Sequence, residues 1–130
     1  MSASESTAAE LIQLTERLLE SIAGGDWETY AALCDPTITA FEPESLGHLV
    51  QGMAFHRFYF QLGKDERPHH TTISSPHVRV LGDVGIVSYV RLVQKLDAEG
   101  SPVVRRCEET RVWHKGLGGW KHVHFHRSVT

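Results

Sequence analysis

Four stretches rich in Val, Ile, Thr and Tyr follow one another after Pro68: about His70 to Leu81, Gly85 to Leu96, Val103 to His114 and Trp120 to Arg127. The separators Gly82-Asp83, Asp97-Ala98-Glu99-Gly100 and Gly116-Leu117-Gly118-Gly119 are short and turn-forming. Consecutive strands are therefore expected to pair as antiparallel hairpins. A chain that ends on such a meander has to bury one face of a single sheet against whatever precedes it.

What precedes it is helical. From Glu10 to Ala23, Leu11, Leu14, Leu18 and Ile22 recur at three- and four-residue steps, and Ile12 and Leu19 widen the stripe. Thr7 with Glu10 reads as a capping box, and Gly24-Gly25 as a left-handed stop. Asp26 reads as the N-cap of a second short helix, Trp27 to Leu33, which Pro36 cannot continue. Thr37 to Phe41 and Leu49-Val50-Gln51 read as short strands, and Gly52 opens a third helix carrying Phe55, Phe58 and Tyr59. The α-α-β-β-α-β-β-β-β order predicts an α+β domain, a bent antiparallel sheet packed on the long first helix. We expect residues 1–8 to be a flexible lead and residues 9–130 a single domain.

Composition excludes several classes of function. At 130 residues the chain has room for one domain with a true core. A net charge of -3 argues against a phosphate-backbone partner, so no nucleic acid is expected. No apolar run approaches the roughly 18 residues of a membrane span, and the first residues lack the pattern of a signal peptide. The expected location is the cytoplasm, with no membrane partner. Cys34 and Cys107 lack CxxC spacing and read as buried reduced thiols. No Ser-His-Asp arrangement, Walker loop or dinucleotide fingerprint is present, and no cofactor is expected. Asp35-Pro36 and Glu42-Pro43-Glu44 read as solvated acidic turns.

Alternation within the strands singles out charged residues on apolar faces. Arg127 shares parity with Val123 and Phe125, Arg91 with Val87, Tyr89 and Val93, and Arg111 with Trp113 and Glu109. A guanidinium on an apolar face needs a carboxylate partner or an anion. Either Glu109 or another carboxylate neutralises the three, or they bind a small acid bidentately. On the opposite face His122, His124 and His126 form a stripe. Neighbours there stand about 7 Å apart, too far to share one zinc, so a solvated or interface-facing stripe is expected and no metal.

Several blocks of the chain resemble one family: Cys34-Asp35-Pro36, Ala40-Phe41-Glu42-Pro43-Glu44, the run from Gly52 through Phe55-His56-Arg57-Phe58-Tyr59-Phe60, Glu108-Glu109-Thr110-Arg111-Val112-Trp113-His114, and Trp120-Lys121-His122-Val123-His124-Phe125-His126-Arg127-Ser128. Together they resemble the association (hub) domain of calcium/calmodulin-dependent protein kinase II from about residue 9 to residue 128. The resemblance implies a nuclear-transport-factor-2-like (NTF2-like), cystatin-like cone. It further implies self-association into dimers and then a closed ring of dimers, and a pocket for small carboxylates. Ungapped spacing carries Arg91, Arg111 and Arg127 onto that pocket, and His56 matches a histidine lining it. The segment Gln61 to Arg67 is shorter than usual for the family and lacks its aromatic residue.

The chain is therefore expected to be a stand-alone oligomerisation and scaffold module. It has none of the glycine-rich loop, β3 lysine and catalytic-loop aspartate that kinase catalysis needs, so it is not expected to be an enzyme. It also has no basic amphipathic helix for calmodulin. The alternative is a small isomerase or dehydratase acting on a carboxylate metabolite held by the arginines, with His56 or Tyr89 transferring the proton. That alternative is weakened by the want of an Asp or Glu base at pocket-facing positions. In a ligand-sensing scaffold, bound acid would shift the assembly equilibrium.

Overall fold

The computed structural model describes residues 2–129; Met1 of the expected lead and Thr130 of the expected domain lie outside the described residues. The elements run α1 (Ala3–Ala23), α2 (Trp27–Leu33), β1 (Cys34–Phe41), a 3-10 turn (Pro43–Ser45), β2 (Val50–Gln51), α3 (Ala54–Gln61), β3 (His69–Leu81), β4 (Val84–Leu96), β5 (Pro102–Gly116) and β6 (Gly119–Val129). Among the described residues no helix is long and apolar enough to cross a membrane.

α1 begins at Ala3, well before the expected start at Glu10. Ser2, not Thr7, is the cap: its hydroxyl accepts from the Glu5 amide, and the Glu5 side chain accepts from the Ser2 amide. Residues 3–9 hold no large apolar side chain, so they show no periodicity. Alanine and a capping box suffice to extend the helix through them. After α1, Gly25 takes the left-handed conformation at φ 66, and Asp26 caps α2 by accepting from the Thr29 amide at 3.1 Å.

The sheet order is β2-β1-β6-β5-β4-β3. The β3-β4, β4-β5 and β5-β6 pairs are antiparallel, as the short turns require. β1 adds to the far side of β6 in parallel, Thr39 opposite His124 and Phe41 opposite His126. This makes β6 an interior strand. A register shift between Ser74 and His77 around Pro76 bends β3, since a bulge tightens local twist and Pro cannot donate to the ladder.

α1 lies across the concave side of this sheet. Leu11, Leu18 and Leu19 are buried with Tyr30, Leu33, Ile38, Ala40, Val87, Trp113 and Phe125. Thr15 sits within this apolar face and is satisfied twice. Its hydroxyl donates to the Leu11 carbonyl at 2.8 Å and accepts from the Trp113 indole at 3.2 Å, tying helix to sheet. Trp113, Trp120 and Phe125 are part of this core.

Gly85 sets how closely α1 approaches the sheet. It faces Trp113 across the β4-β5 ladder, and a Cβ there would stand 2.3 Å from the Cδ1 of Leu11, which is wholly buried. Gly85→Ala should therefore lower stability by about 1–3 kcal/mol, the usual cost of overpacking a core. Urea denaturation checks this, with an unchanged midpoint as the contrary result.

Candidate functional site

A cavity of about 280 Å³ opens between the concave face, α1 and α3; its walls include Glu42, Glu44, His56, Arg91, Arg111 and Arg127. Its charged floor comes from the alternation already noted on β4, β5 and β6. Arg111 and Glu109 are almost wholly buried, at 1% and 2% exposure. Arg111 meets the Glu109 carboxylate at 3.1 Å, and Arg91 meets the same oxygen at 3.4 Å. The Tyr89 hydroxyl donates to the other Glu109 oxygen at 2.5 Å and accepts from Arg111 Nε at 2.9 Å. Burial alone would raise the Glu109 carboxyl, but Arg111, Arg91 and Tyr89 outweigh it and hold it down at about 2. The Arg111 guanidinium lies over the Phe125 ring at 4.5 Å, which covers its remaining face.

Arg111 also keeps two histidines neutral. Burial first, and then the guanidinium, push His122 well below its usual range; the same two causes bring His56 down to about 4. His122 Nε2 stands 3.5 Å from Arg111 NH1, and Nδ1 stands 3.6 Å from Cys34 Sγ. A guanidinium only donates, so Nε2 accepts and Nδ1 carries the proton towards sulfur. Burial pushes the Cys34 thiol up to about 12, and Cys34 and Cys107 are both free and buried, as expected.

The structure corrects the expected histidine stripe. Val112 pairs with His124 but Trp113 pairs with His122, so β6 is bulged at Val123. The bulge shifts the alternation by one residue. His122 turns inward, stacked on Phe125 at 5.5 Å, while His124 and His126 stay outside beside Phe41. No group of three or more His, Cys, Asp or Glu suited to a metal occurs among the described residues.

Glu42 and Glu44 need a second correction. They are not simply a surface turn: Glu42 is half-buried, Glu44 is exposed, and both line the cavity. Arg127 NH2 bonds both Glu44 oxygens, one at 2.6 Å. Burial and then Glu44 raise the Glu42 carboxyl to about 7, against the opposing pull of Arg127 and Arg111. The cavity thus holds the carboxyl group whose want weakened the enzyme alternative. A signal for it was present, because Ile38 and Ala40 are fully buried on β1 and Glu42 continues their alternation. Asp35 does behave as a turn residue, accepting from the Thr37 amide at 2.8 Å.

Of the residues singled out in the sequence, Arg91, Arg111, Arg127 and His56 line the cavity together. Tyr89 does not; it stands behind the wall with its hydroxyl taken by Glu109 and Arg111. Two buried nitrogens, Arg91 Nε and His56 Nε2, have no hydrogen-bond partner among the described residues. A buried polar atom without a partner costs about 1–3 kcal/mol, which a hydrogen-bonding ligand would relieve.

A bent sheet closed round a helix over a polar cavity defines the NTF2-like class. An NTF2-like protein from Salmonella enterica matches at a TM-score of 0.77 over 98% of this chain and 93% of that one; at 20% identity this shows the fold alone. The profile of the calcium/calmodulin-dependent protein kinase II association domain matches residues 7–130, and the chain belongs to that family. It is 53% identical over 122 residues to the kinase type II subunit delta of Oryctolagus cuniculus, covering 92% of this chain and 23% of that protein. The chain thus spans about a quarter of the length of that relative. The hub homology domain of Chlamydomonas reinhardtii matches at 48% identity and a TM-score of 0.89, over 95% of this chain and 98% of that one. The association domain of C. elegans matches at 44% and 0.91, over 96% and 97%.

Glu109→Gln should remove the countercharge of buried Arg111 and destabilise the fold by about 3–5 kcal/mol. Adding Arg111→Met should restore part of the loss, because no buried charge is then stranded at that position. Denaturant midpoints of the two variants test this, and equal losses would contradict it.

Proposed function

We propose that this chain is a self-associating scaffold, forming dimers and then a closed ring of dimers, with an arginine-walled cavity in each protomer for a small carboxylate. Self-association is supported by the solved relatives, which are described as hub and association domains. An exposed patch on the outer side of β1 and β6, where Phe41 packs beside His124 and His126, supports it further. The chain carries no kinase catalytic set, so phosphoryl transfer lies outside the proposal.

The observation that carries the ligand is the pair of unpartnered nitrogens, Arg91 Nε and His56 Nε2, on one cavity wall. Charge agrees with it. Three guanidiniums face Glu44 and Glu109, so one positive charge is uncompensated while Glu42 is protonated. A monoanion of a few carbons suits that balance.

Glu42 also favours a second function, general acid–base chemistry of the isomerase or dehydratase kind. A carboxyl raised to about 7 in the same cavity as a neutral histidine is poised to move a proton at physiological pH. In that case His56→Ala should stop turnover, whereas in a pure binding site it should only weaken carboxylate binding.

Light scattering coupled to gel filtration tests the scaffold: the expected mass is many times that of one protomer, and a plain dimer or monomer would overturn the ring. Titration calorimetry with butyrate tests the cavity. Arg127→Ala should weaken binding at least tenfold, and unchanged affinity would remove the pocket assignment. Ionisation of Glu42 cancels the uncompensated charge, so butyrate affinity should fall by about tenfold from pH 6 to pH 8. Glu42→Gln should flatten that dependence.

A further inference from the structure

Beyond Arg91 and Arg127, the concave face continues into a groove of about 340 Å³, lined by Val93, Lys95, Arg105 and Cys107 as well as by those two arginines. Strand register explains why cations gather there. On β4, Arg91, Val93 and Lys95 continue the inward set of Val87 and Tyr89. On β5, Arg105 lies opposite Val93 and Cys107 opposite Arg91, and Arg127 on β6 lies opposite Glu109, which itself faces Tyr89. Each successive rung of this face therefore holds one cation: Arg127, then Arg91, then Arg105, then Lys95. Arg106 also lines the groove, but it is one residue out of phase and pairs with Glu108 at 3.7 Å.

No Asp or Glu lines the groove, and among the described residues neither Lys95 nor Arg105 has a carboxylate within ion-pair distance. At the inner end Arg91 pairs with Glu109, which it shares with Arg111, and Arg127 pairs with Glu44. At the outer end Asp65 feels the field of Lys95 but is bound to Arg67. Positive charge thus accumulates away from the cavity, over a floor of Val93 and Cys107.

The spacing of these cations points to a particular class of partner. Rungs two residues apart on a strand repeat at about 7 Å, so the four cations extend over about 20 Å. A small acid covers one rung. An extended polypeptide has the same two-residue repeat, so acidic residues at alternate positions follow the row of cations, meeting first Arg105 and Lys95, which have no carboxylate of their own. We propose that this groove is a docking site for an extended acidic peptide segment with Glu or Asp at every second residue. This goes beyond the small-carboxylate cavity and does not depend on it, because Lys95 and Arg105 lie outside that cavity.

The test uses fluorescence anisotropy with a labelled (Glu-Ser)4 peptide, alongside butyrate calorimetry on the same samples. The intact chain should bind the peptide, more weakly as salt rises. The double variant Lys95→Ala/Arg105→Ala, altering two side chains that are not buried, should bind it at least tenfold more weakly while keeping its butyrate affinity and its mass by light scattering. Unchanged peptide affinity in the variant overturns the proposal. So does a fall in assembly mass, which would assign the groove to contact between copies. Tighter binding of tripolyphosphate than of the peptide, equally weakened by the variant, would make this a compact polyanion site and overturn the peptide assignment. Loss of butyrate binding in the intact chain, with peptide binding kept, would instead count against the cavity alone.

Discussion

Arg111 is a full positive charge inside the core, and Glu109 is what lets it stay there. The pair is nearly inaccessible to water, and Tyr89 and Arg91 complete its bonding. Such a pair adds little net stability over an apolar core, because both ions must be desolvated. Its effect is on its surroundings. The guanidinium holds Phe125 beneath it, adds to burial in keeping His122 and His56 neutral, and opposes the rise of Glu42. The cavity has the electrostatics it has because that one charge is fixed and cannot be neutralised by loss of a proton.

The bulge at Val123 is the second constraint. Without it, His122 would follow His124 and His126 to the outer face, and the space beside Arg111 and Cys34 would need another occupant. With it, one strand presents Trp120, His122, Phe125 and Arg127 inward and leaves His124 and His126 beside Phe41 outside. The same strand thereby lines the cavity and carries part of the outer face. The parallel addition of β1 depends on this strand too. It carries Glu42 to the cavity rim and sets Glu44, in the following 3-10 turn, against Arg127.

The concave face forms a continuous electrostatic surface that changes character along its length. At the inner end each arginine has a carboxylate beside it, Arg91 and Arg111 sharing Glu109 and Arg127 meeting Glu44, where burial makes an unpaired charge expensive. Towards Lys95 and Arg105 the sheet emerges into solvent, where uncompensated cations are tolerated at little cost. The cavity therefore grades into an open groove, with Arg91 and Arg127 lining both.

Much of this molecule was legible in its residues. The hairpin order of β3 to β6 followed from turns too short to allow anything else, and the apolar stripe of α1 from its spacing. The inward placement of Arg91, Arg111 and Arg127 followed from strand alternation, and the family from its motifs. These are local properties, set by backbone geometry within a few residues. The rest was decided where distant segments meet. The parallel pairing of β1 with β6, the inward turn of His122 and the cavity positions of Glu42 and Glu44 depend on a bulge and on contacts between residues more than 80 positions apart, such as Arg127 with Glu44. No local pattern encodes a partner that far away, because it is burial in a shared core that selects it.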